Sequence, residues 1–433
     1  MSTERSGFLQ GRRQPPPPIV AARRSVRHPG DAARAPRLPA LLLGLSFFAL
    51  AALVWPTNLS RFVSLQWRLG SIQRVASHLA LLLTVLGGVT ILMRRMINAC
   101  VHRALPTGRH LALALALVAG STGLTIGGLE LLLRELDLPF AVEWTPSENA
   151  LAQFDPEIGW TYIPNKSAVQ RFGAAQRDVP LYFDAIGARV GAPGTVHRPT
   201  APTLILVGCS YTMGHGLPWE ETFAGRLEST PGFPFQVVNL AVQAYGTDQS
   251  LLLLRRHLEE FNTKVVVYGF ADDHLTRNAN DDRRLVYPNA RFLGTKPLFE
   301  VAADGKLVLR RRPHRYEDVW EPRVWSYVRL AWARWGAVPD GAVTRALVRD
   351  MRTLVEDHGA SFIVLRWPGS HFSFDDPKVH EIDLGAMVPP EWPQWTIPVD
   401  GHPDARANAF VASVLAEPLR TIAQADGVEA PGR

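Results

Sequence analysis

The sequence predicts an α/β domain built on a parallel sheet and preceded by three apolar helices that cross a membrane. Three observations predict it. From residue 203 onward, short apolar runs rich in Val and Ile alternate with helical ones, the rhythm of a parallel sheet covered on both faces. Between Asp31 and Glu130 there is no acidic residue, and three long apolar runs fall in that gap. Charge also divides the chain. The 46 basic and 40 acidic residues give +6, yet residues 1–133 hold 15 Arg, no Lys and three acids, so they carry +12 and the remainder −6. At 433 residues and 47% hydrophobic, the chain has room for two or three domains and is too apolar for disorder. The basic excess flanks apolar segments instead of a folded domain, which argues against nucleic acid as a partner.

The first division is an Arg- and Pro-rich tail, 1–37, with a polyproline-type run at Pro15–Pro18. The second, 38–133, holds the apolar runs Leu38–Trp55, Val75–Met93 and Leu111–Leu129, none with an Asp, Glu, Lys or Arg. Each is near the length of about 20 residues that a span requires. The tail has eight arginines, the loop 56–74 three and the shorter loop 94–110 four. The positive-inside rule then puts the tail and the second loop in the cytoplasm. Three spans leave everything after Leu133 outside, so the expected location is the inner membrane, multi-pass, with a periplasmic or otherwise extracytoplasmic domain. Cys100 and Cys209 fall on opposite sides in this topology and are not expected to pair.

Residues 134–202 read as a linker and lead-in segment, and 203–433 as the large domain. Strands are expected at Thr203–Val207, Gln236–Leu240, Lys264–Phe270, Ser361–Arg366 and Trp395–Val399. Helices are expected at Asp248–Phe261, Ala342–His358 and Pro403–Ala425, the last with Pro in its first turn. An insert, 275–340, interrupts the rhythm with a hairpin at Leu298–Val301 and Lys306–Leu309. Its Trp-rich end (Trp320, Trp325, Trp332, Trp335) has spacings that share one helical face, expected to pack on the core. A second irregular stretch, 369–394, reads as a loop near the site.

Two junctions carry chemistry. The strand Leu204–Val207 runs into Gly208-Cys209-Ser210-Tyr211-Thr212-Met213-Gly214. Such a turn lifts a hydroxyl to the sheet edge and aims backbone N–H groups at one spot, as a serine nucleophile requires. It lacks the Lys of a P-loop and the spacing of a dinucleotide fingerprint. Near the chain end stands Asp400-Gly401-His402-Pro403, before the last helix. In a parallel sheet this junction shares the edge of Ser210. There His402 takes the serine proton and Asp400 holds the imidazole tautomer.

With these blocks the chain resembles the SGNH (GDSL-like) hydrolase family over roughly 203–425, as a membrane-anchored bacterial member. The turn at Ser210 resembles the first block and the pattern at His402 the last. Val238–Thr247 resembles the second block, which implies that Gly246 donates its N–H to the oxyanion. Val266–His274 resembles the third block, with Asp272 where the family has Asn. A carboxylate donates a hydrogen bond only when protonated, so either Asp272 is neutral, or the amides of Ser210 and Gly246 suffice, or the register is shifted by one. The run Phe154–Asn165 is similar to a lead-in of membrane-anchored members and is expected to be a capping strand and turn. Cys209 is expected to be a small buried packing residue.

The resemblance implies a three-layer α/β/α fold, ester cleavage by Ser210, His402 and Asp400, and no metal or organic cofactor. Three readings follow. The first is a membrane-anchored extracytoplasmic esterase acting on an O-acyl group of carbohydrate or lipid. The second is an O-acyltransferase for an envelope polysaccharide, working with a multi-span membrane partner. The third is an inactive binding or scaffold protein, for which Asp272 speaks.

Overall fold

The structure, a computed structural model, describes residues 38–55, 69–104, 107–135, 140, 151–172, 177–287, 292–335, 339–398 and 400–428. The tail 1–37, most of the loop 56–74, most of the linker 136–150, the Trp335 side chain and Val399 lie outside what is described. The chain divides into two compact units, 1–54 with 76–123 and 55–75 with 124–433.

The apolar runs are helical, in Leu38–Val54, Leu69–Leu92 and Thr107–Glu135, the last two each divided between the units, with a further helix at Arg94–Ala104. Gly44 and Gly87 let the first two helices meet closely, because a Cβ on Gly44 would lie 2.4 Å from Ile91 Cγ1. Among the described residues, however, no single helix is long and apolar enough to cross a membrane. The bent pair Ser77–Leu92 and Arg94–Cys100, at 64°, meets the criterion jointly. The expectation of three separate spans is therefore not supported. The first helix has only 17 residues, the second breaks before Arg94, and the third carries a Gly-, Ser- and Thr-rich stretch at 120–128.

The second unit contains an eight-stranded sheet. Its strands are β3 (Ser167–Phe172), β4 (Arg177–Phe183), β5 (Arg189–Val190), β6 (Pro202–Gly208), β7 (Gln236–Asn239), β8 (Asn262–Phe270), β11 (Ser361–Arg366) and β12 (His380–Asp383), with hairpins β1/β2 (Ala152–Asp155, Gly159–Tyr162) and β9/β10 (Leu298–Val301, Leu307–Arg311) apart from it. The order is β12-β11-β8-β6-β7-β5-β4-β3. The first five strands are parallel and the last three extend the sheet antiparallel.

Alternation along the strands builds two cores. Ile205 and Val207 of β6, Val266 and Tyr268 of β8, and Val364 of β11 face one core, completed by the helices Thr247–His257 and Ala342–Asp357. Leu204 and Leu206, Val265 and Val267, and Ile363 and Leu365 face the other, completed by Phe223–Ser229 and Ala405–Ala425. Buried on both faces, these strands need no polar side. The layers are thus helix, sheet, helix.

One expected strand is absent. Within Trp395–Val399 the structure has a single bridge, Thr396 with Pro403, after a 3₁₀ turn at Trp392–Gln394. Pro398 in this run, and Pro393 in the turn before it, have no N–H to give a ladder. The fifth parallel strand is β12, inside the stretch read as a loop.

Candidate active site

The nucleophile turn is shaped by close packing at the carboxyl end of the sheet. Gly208 ends β6 at φ 149°, Cys209 is extended, and the short helix Ser210–Met213 closes on Gly214 at φ 81°. Thr212 is wedged between two strand ends: a Cβ would fall 2.5 Å from its Oγ1 at Gly208 and 2.0 Å at Gly269. Only glycine fits either position. Cys209 is buried and unpaired, as is suited to packing this turn.

Opposite it, Gly401 at φ 84° lets the chain reverse, with the Ile397 amide donating to His402 O at 2.8 Å. Asp404 then caps the closing helix by accepting from the amides of Arg406 and Ala407. This turn brings His402 Nε2 to 2.8 Å from Ser210 Oγ, and His402 Nδ1 to 2.5 Å from Asp400 Oδ1. With Nδ1–H donating to the carboxylate, Nε2 is left as the acceptor for the serine hydroxyl. Burial alone would raise the Asp400 pKa, but the neighbouring His215 and the hydrogen bond with His402 pull it far below the usual carboxylate range. Asp400 therefore stays ionised beside the imidazole.

His215 belongs to the same cluster and was not singled out from sequence. It is buried, stacks on His402 with ring centroids 4.3 Å apart, and turns Nε2 to 3.7 Å from Asp400 Oδ2. Its one sequence signal is adjacency to the turn, in Gly214-His215-Gly216. His215, Asp400 and His402 present ligand-type atoms within 4.8 Å of one another. A cation there would compete for the carboxylate oxygen and ring nitrogen that already bond each other.

The two remaining expected residues have other hydrogen-bond partners. The Gly246 amide donates to Gln249 Oε1 at 3.3 Å, within the start of helix Thr247–His257. Glycine stands there because of crowding, since a Cβ would meet Asn278 Oδ1 at 2.6 Å and Asp248 Oδ1 at 2.8 Å. Asp272 accepts from Ser370 Oγ at 2.5 Å and from the His371 amide at 3.3 Å. Its neighbour Asp273 lines the cavity instead.

Ala244, unlike Gly246, belongs to the cavity wall. It lines the cavity beside Ser210 and holds φ 63°, rare for a residue with a side chain. The surroundings impose this. The Gln243 carbonyl accepts from Trp160 Nε1 at 3.3 Å, and the Ala244 carbonyl accepts from Arg283 Nε at 3.0 Å. In a trans peptide the N–H points away from the carbonyl, so the bond from Trp160 to the Gln243 carbonyl turns the Ala244 N–H away from the Trp160 ring. Arg277 secures the next carbonyl, of Tyr245, at 3.0 Å. The lead-in is thus more than a cap, for Trp160 and Tyr162 both line the cavity. Burial and the nearby Arg277 lower the Arg283 pKa to about 9, yet its bonds to the loop depend only on its N–H donors.

These assignments predict opposite effects for two small substitutions. Ala244→Gly relieves a left-handed conformation and is expected to leave stability within about 1 kcal/mol of the parent, or above it. Gly246→Ala adds a methyl to a filled space and is expected to cost about 1–3 kcal/mol. Urea unfolding of the two variants checks both.

The cavity has a volume of about 480 Å³. Leu151, Trp160, Val242, Phe292 and Leu293 give it apolar walls, and Arg277 and Tyr287 a polar corner. Beneath it runs a buried hydrogen-bond chain. Asn278 donates to Thr247, Thr247 bonds Tyr268, and Tyr268 Oη lies 2.7 Å from His274 Nδ1. Burial, reinforced by Arg277 and Arg283, holds the His274 pKa well below the ordinary histidine value. Burial also lowers that of His215, with Asp400 opposing and His402 adding to it.

Both histidines favour the neutral form more strongly in the folded protein than in the unfolded chain. The unfolded chain takes up their protons near the ordinary value of about 6.5. Their contribution to stability is complete above that pH and is lost as pH falls below it. Tm is therefore expected to drop on acidification through this range, with a shallower drop in His274→Gln. Thermal melts across a pH series measure both.

Fold and site together define a class, namely a three-layer α/β domain with a Ser–His–Asp line at the carboxyl edge of its parallel sheet. Similar solved structures include TesA (15% identity, 50% of this chain and 99% of that one, TM-score 0.28). Another is a GDSL-like lipase from Bacteroides thetaiotaomicron VPI-5482 (13%, 51% and 88%, TM-score 0.29). A third is a lipase from a goat rumen metagenome (11%, 51% and 97%, TM-score 0.28). Neither a protein-family model nor a curated protein matches the chain.

Proposed function

We propose that this chain is a serine hydrolase of ester bonds, attached to a membrane by its apolar helices, with the α/β domain on the extracytoplasmic side. The observation that carries the catalytic reading is the bond of 2.8 Å between Ser210 Oγ and His402 Nε2, with Asp400 on the other ring nitrogen. His402 takes the hydroxyl proton as Ser210 Oγ attacks the acyl carbon. The Ser210 and Ala244 amides receive the negative charge that forms on the carbonyl oxygen. The imidazolium, held by Asp400, returns the proton to the leaving alcohol, and an acyl-enzyme remains. Water then repeats the sequence, with His402 as base, and releases the carboxylic acid.

The substrate in this reading is an O-acyl ester of carbohydrate or lipid. The apolar walls suit a hydrocarbon acyl group, and Arg277, Asp273 and Tyr287 offer polar contacts to the alcohol side. In this reading the Asp272 carboxylate is held by Ser370 and His371, and the oxyanion relies on backbone amides; an inactive protein is the alternative if no ester is cleaved. The test is hydrolysis of chromogenic acyl esters by the purified full chain, in water and with added glycan acceptors. Release of free acid supports the proposal. Transfer to glycan exceeding transfer to water would establish the O-acyltransferase reading instead.

A further inference from the structure

We infer that helix Arg323–Trp335 lies in the membrane–water interface and seats a tryptophan face in the lipid headgroup region. The inference rests on the proposed membrane attachment and is independent of the catalytic reading.

The helix has two dissimilar faces. Arg323, Ser326 and Leu330 are buried against the second unit. Trp325, Val328 and Trp332, on another face at the same spacing, are exposed, the tryptophans by 55% and 80%. Val319 and Trp320, just upstream, continue the exposed apolar surface, Trp320 by 74%. The expectation that these tryptophans pack on the core is thus not met for the three that are described. Nor is the surface a loose appendage. Arg329 bonds Glu321 at 2.8 Å, and Arg284 bonds Asp282 at 2.8 Å and Glu321 at 3.1 Å beneath it.

What covers this face is indicated by where it is fastened. The Glu130 carboxylate accepts from the first helical amides, Arg323 at 2.9 Å and Val324 at 3.0 Å. Arg134 donates to the Glu321 carbonyl at 3.1 Å, and its guanidinium lies 5.1 Å from the Trp320 ring centroid. Glu130 is the first acid after the acid-free apolar region, directly beyond the run Leu111–Leu129. Leu124 and Leu131, on the same helix and in the same unit, are also exposed. The tryptophan face is therefore tied to the point where an apolar helix turns polar, the depth of the headgroups if that helix enters a bilayer. Trp favours this depth because its ring is apolar and its N–H seeks a polar partner. An amphipathic helix with aromatic residues on its lipid side settles in the plane of the interface. A bilayer, continuous with the apolar helix, is the occupant that fits.

The test uses the full chain with Cys100→Ser, in vesicles of phosphatidylethanolamine and phosphatidylglycerol. An environment-sensitive fluorophore is attached at Trp332→Cys, at Val319→Cys, or at Glu417→Cys on the closing helix as a control. Lipids carrying a nitroxide near the headgroup serve as quencher. The labels at 332 and 319 are expected to shift to the blue and lose most of their emission, and the label at 417 to keep its own. Vesicle-bound protein with unquenched labels at 332 and 319 would overturn the inference. Protein that fails to float with the vesicles would overturn it together with membrane attachment, leaving the esterase reading intact.

Discussion

Ser210→Ala is expected to lower kcat for ester hydrolysis by about 10⁴-fold or more, equivalent to at least about 5 kcal/mol of transition-state stabilisation, with little change in KM or in the unfolding curve. Among the described residues the hydroxyl bonds His402 Nε2, on an imidazole that water also reaches. Its removal should cost no more than about 1 kcal/mol of stability. Activity and stability therefore separate cleanly in this variant. His402→Gln should fall by a similar factor, and the double variant hardly further, because nucleophile and base act as one unit. Asp400→Asn should also lose most activity. An amide there no longer fixes Nδ1–H, and the tautomer that leaves Nε2 free to accept is no longer favoured. Steady-state kinetics on one chromogenic ester, with urea unfolding of each variant, reads all of these effects.

The second large effect concerns a buried ion pair that holds the loop beside the serine. Lys296 Nζ bonds the Asp248 carboxylate, and both side chains are fully buried. Lys296 also donates to the Pro297 carbonyl at 2.7 Å. Burial lowers the Lys296 pKa, and Asp248 opposes that shift. The pair joins the insert to the first turn of helix Thr247–His257, next to Gly246 and Gln249. Lys296→Met leaves a carboxylate buried without its partner and is expected to cost about 3–5 kcal/mol. For a unit of this size that corresponds to a fall in Tm of roughly 10 °C. Adding Asp248→Leu removes the stranded charge, so the double variant should regain most of the loss. Thermal melts of the single and double variants measure the recovery. A single variant as stable as the parent would show that the pair does not hold this loop.

Some of this was legible in sequence because the causes are local. Strand β6 followed by Gly208 and a serine turn is one continuous segment, and the Asp400–His402 turn lies directly before a capped helix. Alternation within β6, β8 and β11 marked the parallel core. What escaped has tertiary causes. No local pattern announces that Ala244 takes a left-handed conformation, since Trp160, 84 residues earlier, and Arg283, 39 later, hold the carbonyls on either side of it. Gly246 attracted the oxyanion role because glycine suits such a place, whereas the buried side chains around it are what exclude a Cβ. Asp272 and Asp273 are adjacent acids at a helix start, and only the engagement of Asp272 by Ser370 and His371 decides which one the cavity sees. Strand β12, His380-Glu-Ile-Asp, is a short, mostly exposed edge strand without an apolar run to reveal it. The tryptophans of 320–332 share the spacing of a core-facing helix, yet Leu330 and its neighbours took the core face and left them outside.

A fluorophosphonate probe, which reacts with a serine only where a base deprotonates it, examines the proton-relay geometry most directly. On the intact chain it is expected to form a single adduct at position 210, seen by mass spectrometry, and none in Ser210→Ala or His402→Gln. A folded, thermally normal wild-type protein that forms no adduct, or forms it on a different side chain, would contradict the account.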